Sequence, residues 1–266
     1  MLIAQISDPH IVAPGEKAYG VAQTGDYLQR CIKHVNHLVP APDVVLLTGD
    51  ICNSGTSEEF AHAAALLGEL RYPYYVIPGN HDDRVGMWAE FGGGACPDKS
   101  QGFIQYVVDG YALRLIALDT TVPGESGGEI CARRAQWLDQ RLSEDSQKPC
   151  LIFMHHPPLK CGVLETDEDG FEGADLLESV IRKHAQVERI LCGHIHLLSC
   201  AGWAGTVVST APSTGLQLVL DLSLQLPSAF TLEAPAYQLH YWTDQRHLVS
   251  HTISVNDQPD GPYPFD

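Results

Sequence analysis

Five short apolar runs in this chain end in chemically similar ways. Leu2-Ile3-Ala4-Gln5-Ile6 runs into Ser7-Asp8-Pro9-His10, and Val44-Val45-Leu46-Leu47-Thr48 runs into Gly49-Asp50. Tyr74-Tyr75-Val76-Ile77 meets Pro78-Gly79-Asn80-His81-Asp82-Asp83. Residues 150–154 meet His155-His156-Pro157-Pro158, and residues 189–192 meet Gly193-His194-Ile195-His196. Each run has the length and composition of a strand, with turn-forming or polar residues closing it. Polar side chains at the carboxyl ends of strands in an α/β protein face the crevice where ligands bind. The pattern therefore favours folds that gather several strand ends on one edge of the molecule.

Between these runs the periodicity is helical. Tyr27, Leu28, Cys31, Ile32, Val35 and Leu38 form an apolar stripe, which predicts a helix over 25–38 with Thr24 as its cap. Thr56-Ser57-Glu58-Glu59 reads as a capping box opening a helix to about residue 69. Asp109-Gly110 between two apolar runs signals a hairpin. Helices are expected at 132–142 and 174–185. Strands are expected at 198–202, 206–210, 216–222, 236–242 and 247–254, and the tail 256–266 reads as extended. The acidic cluster Glu165, Asp167, Glu168, Asp169 lacks the spacing of a calcium loop and reads as solvated. Strands alternating with helices and then meandering point to an α/β fold of two packed mixed sheets flanked by helices. With no repeat and no linker, residues 1–266 read as one domain, with 230–266 a β-rich extension.

Composition narrows the partners. The longest apolar runs are strand-sized, too short to span a membrane. The amino terminus enters a strand directly, without the basic and apolar regions of a secretion signal, so a cytoplasmic protein is expected. The eight cysteines show no C-x-x-C pairing, which favours reduced thiols over a cysteine zinc site. A net charge of −17 repels polyanions and argues against a nucleic-acid polymer as partner. An anionic small substrate would need its counter-charge from metal ions.

The strand ends offer that possibility. Asp8, His10, Asp50, Asn80, His155, His194 and His196 combine imidazole with carboxylate and amide oxygen, a set suited to divalent manganese, iron, cobalt, nickel or zinc. They are too many for one ion with an open position, but they divide well between two ions sharing a carboxylate. Two ions about 3.5–4 Å apart clamp the attacking and leaving oxygens of a phosphoryl displacement, and a water bound to them ionises near neutrality. Two divalent charges exceed those of two aspartates and a hydroxide by one, which suits a phosphodiester monoanion.

Asp8-x-His10, Gly49-Asp50, Gly79-Asn80-His81-Asp82, His155-His156-Pro157 and Gly193-His194-x-His196 resemble, in order, the five blocks of the calcineurin-like metallophosphoesterases. Over residues 1–210 the chain is similar to the class III cyclic nucleotide phosphodiesterases and the bacterial glycerophosphodiesterase among them. The resemblance implies a four-layer αββα sandwich. It implies a first ion on Asp8, His10, Asp50 and His196, with Asp50 bridging to a second on Asn80, His155 and His194. It also implies that His81 steadies the transition state or protonates the leaving alkoxide, while His156 orients its neighbours. Manganese pairs or iron with manganese are favoured, and the relatives' use of their carboxyl-terminal β-region implies a homo-oligomer. Some relatives carry a histidine near the position of Leu216, so its absence leaves open whether a cyclic nucleotide such as cAMP or a glycerophosphodiester is the substrate.

Each block alone has an ordinary reading. Asp-x-His at a strand end is commonly a turn, His194-Ile195-His196 could be an exposed alternating strand, and Asn80 a turn former. Together they support one another. Asp82 and Asp83 read as structural, His34 and His37 as helix-surface residues, and His240, His247 and His251 as surface or core residues. Ser126, in the glycine-rich loop 123–128, is a candidate substrate contact. A phosphomonoesterase or nucleotide pyrophosphatase on the same scaffold is the rival enzyme. A non-catalytic binding module is the rival class, and it predicts substituted ligands.

Overall fold

A computed structural model of the chain describes residues 1–256 and Tyr263; most of the tail read as extended lies outside the described residues. The chain opens with β1 (Leu2–Ile6), α1 (Thr24–Asn36), β2 (Val44–Leu47), α2 (Ser57–Leu67), β3 (Tyr74–Val76) and α3 (Arg84–Phe91). It continues through β4 (Tyr106–Val108), β5 (Arg114–Ala117), β6 (Gly128–Glu129), α4 (Ala132–Ser143) and β7 (Cys150–Phe153). Then follow α5 (Leu164–Asp169), β8 (Phe171–Glu172), α6 (Ala174–Ile181), β9 (Val187–Cys192), β10 (Ser199–Trp203) and β11 (Thr206–Thr210). β12 (Leu216–Leu218), β13 (Phe230–Leu232), β14 (Ala236–Trp242) and β15 (Leu248–Ser254) complete it.

Two mixed sheets form the centre. The first has the order β15-β14-β1-β2-β3, and the second β10-β11-β9-β7-β5-β4. β1, β2 and β3 run parallel, as do β5, β7, β9 and β11, so their carboxyl ends share an edge within each sheet. Every residue of β2 and of β7 is buried, as strands covered on both faces require. One cover is the opposite sheet: Gln5 Nε2 on β1 donates to Cys192 O on β9 at 3.0 Å, and the Tyr106 hydroxyl donates to Val76 O at 2.6 Å. The other is helical. α1 buries Leu28, Cys31, Ile32 and Val35, and α4 buries Ala135, Trp137, Leu138 and Leu142. Phe153, fully buried between the layers, is a residue whose truncation to alanine should cost about 3–5 kcal/mol.

Local signals behave unevenly. The capping box forms, with Thr56 Oγ1 accepting from Glu59 N and the Glu59 carboxylate accepting from Thr56 N. Asp83 caps α3 by accepting from Gly86 N at 2.7 Å. Thr24, however, is not a cap. Gln23 holds that position, and Thr24 lies inside the first turn with its hydroxyl buried. β4 and β5 do pair as a hairpin, but Val108 faces Leu115 and β5 begins at Arg114, so residues 109–113 make a longer loop than Asp-Gly alone. The acidic cluster is helical: α5 covers it, and the Asp167 carboxylate accepts from Cys161 N and Gly162 N at 2.7 and 2.9 Å. The strand expected at 216–222 stops at Leu218 and pairs with β13, a further strand with no counterpart among the expected ones. His240 is fully buried while His247 and His251 are exposed. Among the described residues no helix is long and apolar enough to cross a membrane.

Candidate metal centre

The carboxyl ends of β1, β2, β3, β7 and β9 meet. Four donors, from Asp8, His10, Asp50 and His196, have ligand atoms all within 4.8 Å of one another. His10 Nε2 lies 2.9 Å from His196 Nε2 and 3.6 Å from Asp50 Oδ2, and His196 Nε2 lies 3.6 Å from Asp8 Oδ1. Beside this group, Asn80 Oδ1 is 3.1 Å from both His155 Nε2 and His194 Nδ1. His155 Nε2 in turn is 3.4 Å from Asp50 Oδ2. One oxygen, Asp50 Oδ2, thus faces both groups. Donors sharing an ion at about 2.1 Å stand roughly 3.0–3.5 Å apart, so both clusters fit divalent metal ions.

The far atoms of three of these side chains, His155, His196 and Asp50, are fixed, whereas the buried Nδ1 of His10 has no hydrogen-bond partner among the described residues. His155 Nδ1 donates to Thr48 O at 2.8 Å and His196 Nδ1 to Leu216 O at 2.7 Å, so Nε2 is the nitrogen each ring turns inward. Asp50 Oδ1 accepts from His81 N at 2.9 Å, which leaves Oδ2 for the centre. The backbone is built for this. Asp8, His10, Asp50, His194 and His196 have φ of 50°, 45°, 48°, 74° and 51°. A left-handed conformation costs a side-chain-bearing residue about 1–3 kcal/mol, and such strain gathers at functional sites. Gly79 is needed for a plainer reason: a Cβ there would stand 2.1 Å from Asp50 Oδ1.

Charge follows position. Burial opposes ionisation of Asp50, but the surrounding imidazoles, His155 first, hold its carboxyl well below the ordinary range. Burial likewise opposes a charge on His155, yet Asp50 and then Asp8 raise it to about 9. Burial, then the His155 charge, pushes His194 down to about 3, and burial keeps His10 far below its ordinary value. Neutral imidazole is the form an ion requires.

His156 sits against this cluster without a free nitrogen. Its Nε2 donates to Ser126 O at 3.1 Å, and its Nδ1 accepts from the Thr120 hydroxyl at 2.8 Å. Ser126 enters through its carbonyl rather than its side chain. His81 rests edge-on to His10, with centroids 4.7 Å apart and Nδ1 donating to Asn53 O at 2.7 Å, so its Nε2 remains available. A cleft of about 450 Å³ lined by Asn80, His81, Arg84 and Thr121 opens beside it. Asp82 is structural, accepting from Ile51 N, Cys52 N and Gly79 N.

Sequence reasoning missed Asp119. Its buried carboxylate receives Arg84 Nε and Nη2 at 2.7 and 2.9 Å, binding the start of α3 to the end of β5. Asp119 follows an apolar run just as Asp8 and Asp50 do, so the same strand-end signal marks it.

Residues 1–198 match the profile of the family described as Calcineurin-like phosphoesterase. A probable glycerophosphodiester phosphodiesterase, GpdQ of Arcobacter nitrofigilis, is 36% identical over 100% of this chain and 97% of its own length. The 3',5'-cyclic adenosine monophosphate phosphodiesterase CpdA of Escherichia coli is 28% identical over 81% of this chain and 76% of its own. A dimetal phosphatase from Danio rerio shares the fold, with a TM-score of 0.65 at 15% identity, covering 96% of this chain and 99% of that one.

Proposed function

The chain belongs to the calcineurin-like phosphoesterase family, and from that premise we propose that it hydrolyses a small phosphodiester, a cyclic nucleotide such as cAMP or a glycerophosphodiester, at a centre of two divalent ions. The observation that carries the reading is the shared oxygen: Asp50 Oδ2 stands 3.6 Å from His10 Nε2 and 3.4 Å from His155 Nε2, between two sets of inward donors. Asp8, His10, Asp50 and His196 would hold one ion, and Asn80, His155 and His194, with Asp50, the other. Ions bound in such a pair supply an ionised water as nucleophile and neutralise the phosphate. Manganese, or iron with manganese, suits the mixed nitrogen and oxygen set, as zinc or cobalt also does.

The chain's own contribution is placement and proton handling. Asn80, partly buried, turns its amide oxygen to the centre. His81 projects Nε2 beside the cleft, where it would meet a phosphate oxygen or hand a proton to the leaving alkoxide. His156, locked between Thr120 and Ser126, walls the side of His155 and His194, with ring centroids at 4.7 and 4.6 Å. The wall keeps both ligands from turning.

We take residues 1–266 as one domain in the cytoplasm. A homo-oligomer is expected through the extension, because β13 and the segment before it expose Leu222, Leu226, Phe230 and Leu232. The test of function is hydrolysis of bis-p-nitrophenyl phosphate and p-nitrophenyl phosphate by metal-stripped protein, before and after manganese. Diester hydrolysis that appears only with metal is expected. Preference for the monoester would favour the phosphatase, and no activity with any of several metals would favour a binding module.

A further inference from the structure

The space between the sheets holds polar side chains that the proposed chemistry does not use. Gln5, Ser7, Thr48 and His240 are all completely buried, in a region otherwise filled by apolar residues. They form a single file. Arg189 Nη1 donates to Ser250 Oγ, which lies 2.7 Å from His240 Nδ1; His240 Nε2 lies 2.9 Å from Gln5 Oε1. Gln5 Nε2 donates to Thr48 Oγ1 at 3.0 Å, Thr48 Oγ1 donates to Ser7 Oγ at 2.6 Å, and Ser7 Oγ donates to Asp8 Oδ2 at 2.5 Å.

The direction of every proton in this file is forced. Gln5 Nε2 also faces Cys192 O at 3.0 Å, and a carbonyl can only accept, so the amide cannot be flipped. Gln5 Oε1 then accepts, so His240 carries its proton on Nε2. Its Nδ1 must take the Ser250 hydroxyl proton, and the Ser250 oxygen takes one from Arg189. At the other end Thr48, already receiving from Gln5, gives its proton to Ser7, and Ser7 gives its own to Asp8. The neutral form this requires of His240 agrees with its environment: burial, then the Arg189 charge, pushes it down to about 3. Arg189 has no acidic partner among the described residues and lines a cleft with Ser199, Ser209 and Thr252. Six aligned hydrogen bonds therefore lead from a cation near the surface to a carboxylate at the centre. Aligned bonds in a low-dielectric interior polarise one another.

Taking Asp8 as a ligand of the first ion, as proposed above, we infer that Arg189, Ser250, His240, Gln5, Thr48 and Ser7 are positioning residues that hold Asp8 oriented for that ion. Ser7 and the His194 backbone, whose N lies 3.0 Å from Asp8 Oδ1, together fix the carboxylate, and the file behind Ser7 fixes Ser7. The side chains of the file hydrogen-bond to Asp8 and to none of the Asn80, His155 or His194 side chains, so their effect falls on the first ion.

The test pairs Thr48→Val, which keeps the shape and removes the hydroxyl, with Thr48→Ser, which keeps the hydroxyl. Cobalt titrations by calorimetry and visible absorption are made in the otherwise unaltered chain and in an Asn80→Ala background, where the first ion alone remains. Outer-sphere partners of metal ligands typically contribute 10–100-fold to affinity. Thr48→Val should weaken the first ion about tenfold, Thr48→Ser should restore it, and Arg189→Met, at the far end, should weaken it about two- to threefold. The second ion should be unmoved. Nitrogen NMR of metal-free protein should show His240 protonated on Nε2 alone. An unchanged first-ion affinity in Thr48→Val, equal weakening of both ions, failure of Thr48→Ser to restore binding, or a proton on His240 Nδ1 would overturn the inference. If Thr48→Val does not fold, Arg189→Met and the NMR signal decide. Unaltered protein that takes up fewer than two ions would instead count against the two-ion reading.

Discussion

The first sheet brings Asp8 and His10 from β1, Asp50 from β2 and Asn80 from β3 to the centre, whereas the second brings His155 from β7 and His194 and His196 from β9. All the oxygen donors therefore come from one sheet, and the other supplies imidazole alone. The carboxylates need support against burial, and Ser7, Thr48 and backbone amides give it. Two of the three imidazoles, His155 and His196, have a carbonyl behind the ring, Thr48 O and Leu216 O. Ions held between these two sets would join the sheets at the edge where no strand pairing does.

Breaking the shared oxygen should have the largest effect. If Asp50 bridges two ions as proposed, Asp50→Ala would remove a donor from both, so turnover should fall roughly a thousandfold or more, with metal analysis showing both lost. Two equivalents still tightly bound would refute the bridge. Removing Asn80 acts on one ion: Asn80→Ala should leave about one equivalent and lower turnover roughly several hundredfold. Retention of both ions would contradict the assignment. His81→Ala should cost roughly a hundredfold in turnover with metal content unchanged, as expected for a proton-handling group. Unaltered turnover would remove its role.

Two smaller effects sharpen the contrast between the sheets. If ions join them, stripping metal should lower Tm by roughly 5–10 °C at ion concentrations well above Kd. An identical Tm would mean that the ions do not brace the fold. His240 gives a pH signature in the core. Its folded value of about 3 lies below its ordinary 6.5, so the unfolded chain binds the proton first as pH falls. Its stabilising contribution is complete above pH 6.5 and is lost on acidification toward pH 3. Between those limits His240→Leu should flatten the acid limb of stability by up to ~1.4 kcal/mol per pH unit relative to the unaltered chain. Parallel acid limbs would show that the imidazole is not held neutral.

Much of this was legible in the residues. The strand ends could be read because β2 and β7 are buried on both faces and so appear as unbroken apolar runs before Gly49 and His155. The two-sheet α/β architecture followed from the same alternation. What could not be read was direction. His155 and His156 are neighbours of one type, and only Thr120 and Ser126 decide that both nitrogens of His156 are occupied, although the ring stays beside His155 and His194. The left-handed backbone of Asp8, His10 and Asp50 has no local signature, because it is imposed by the surrounding packing. α5 went unread because it buries none of its own residues and so has no apolar period to find. The file from Arg189 to Asp8 was invisible for a similar reason. Its members come from β1, β9, β14, β15 and the turns after β1 and β2, and only the fold makes them adjacent.

The most direct test of the shared centre is anomalous diffraction from crystals grown with manganese. Two peaks about 3.5–4 Å apart, both in contact with Asp50 and neither with His156, are the predicted result. A single peak, or an ion held by His156, would contradict it.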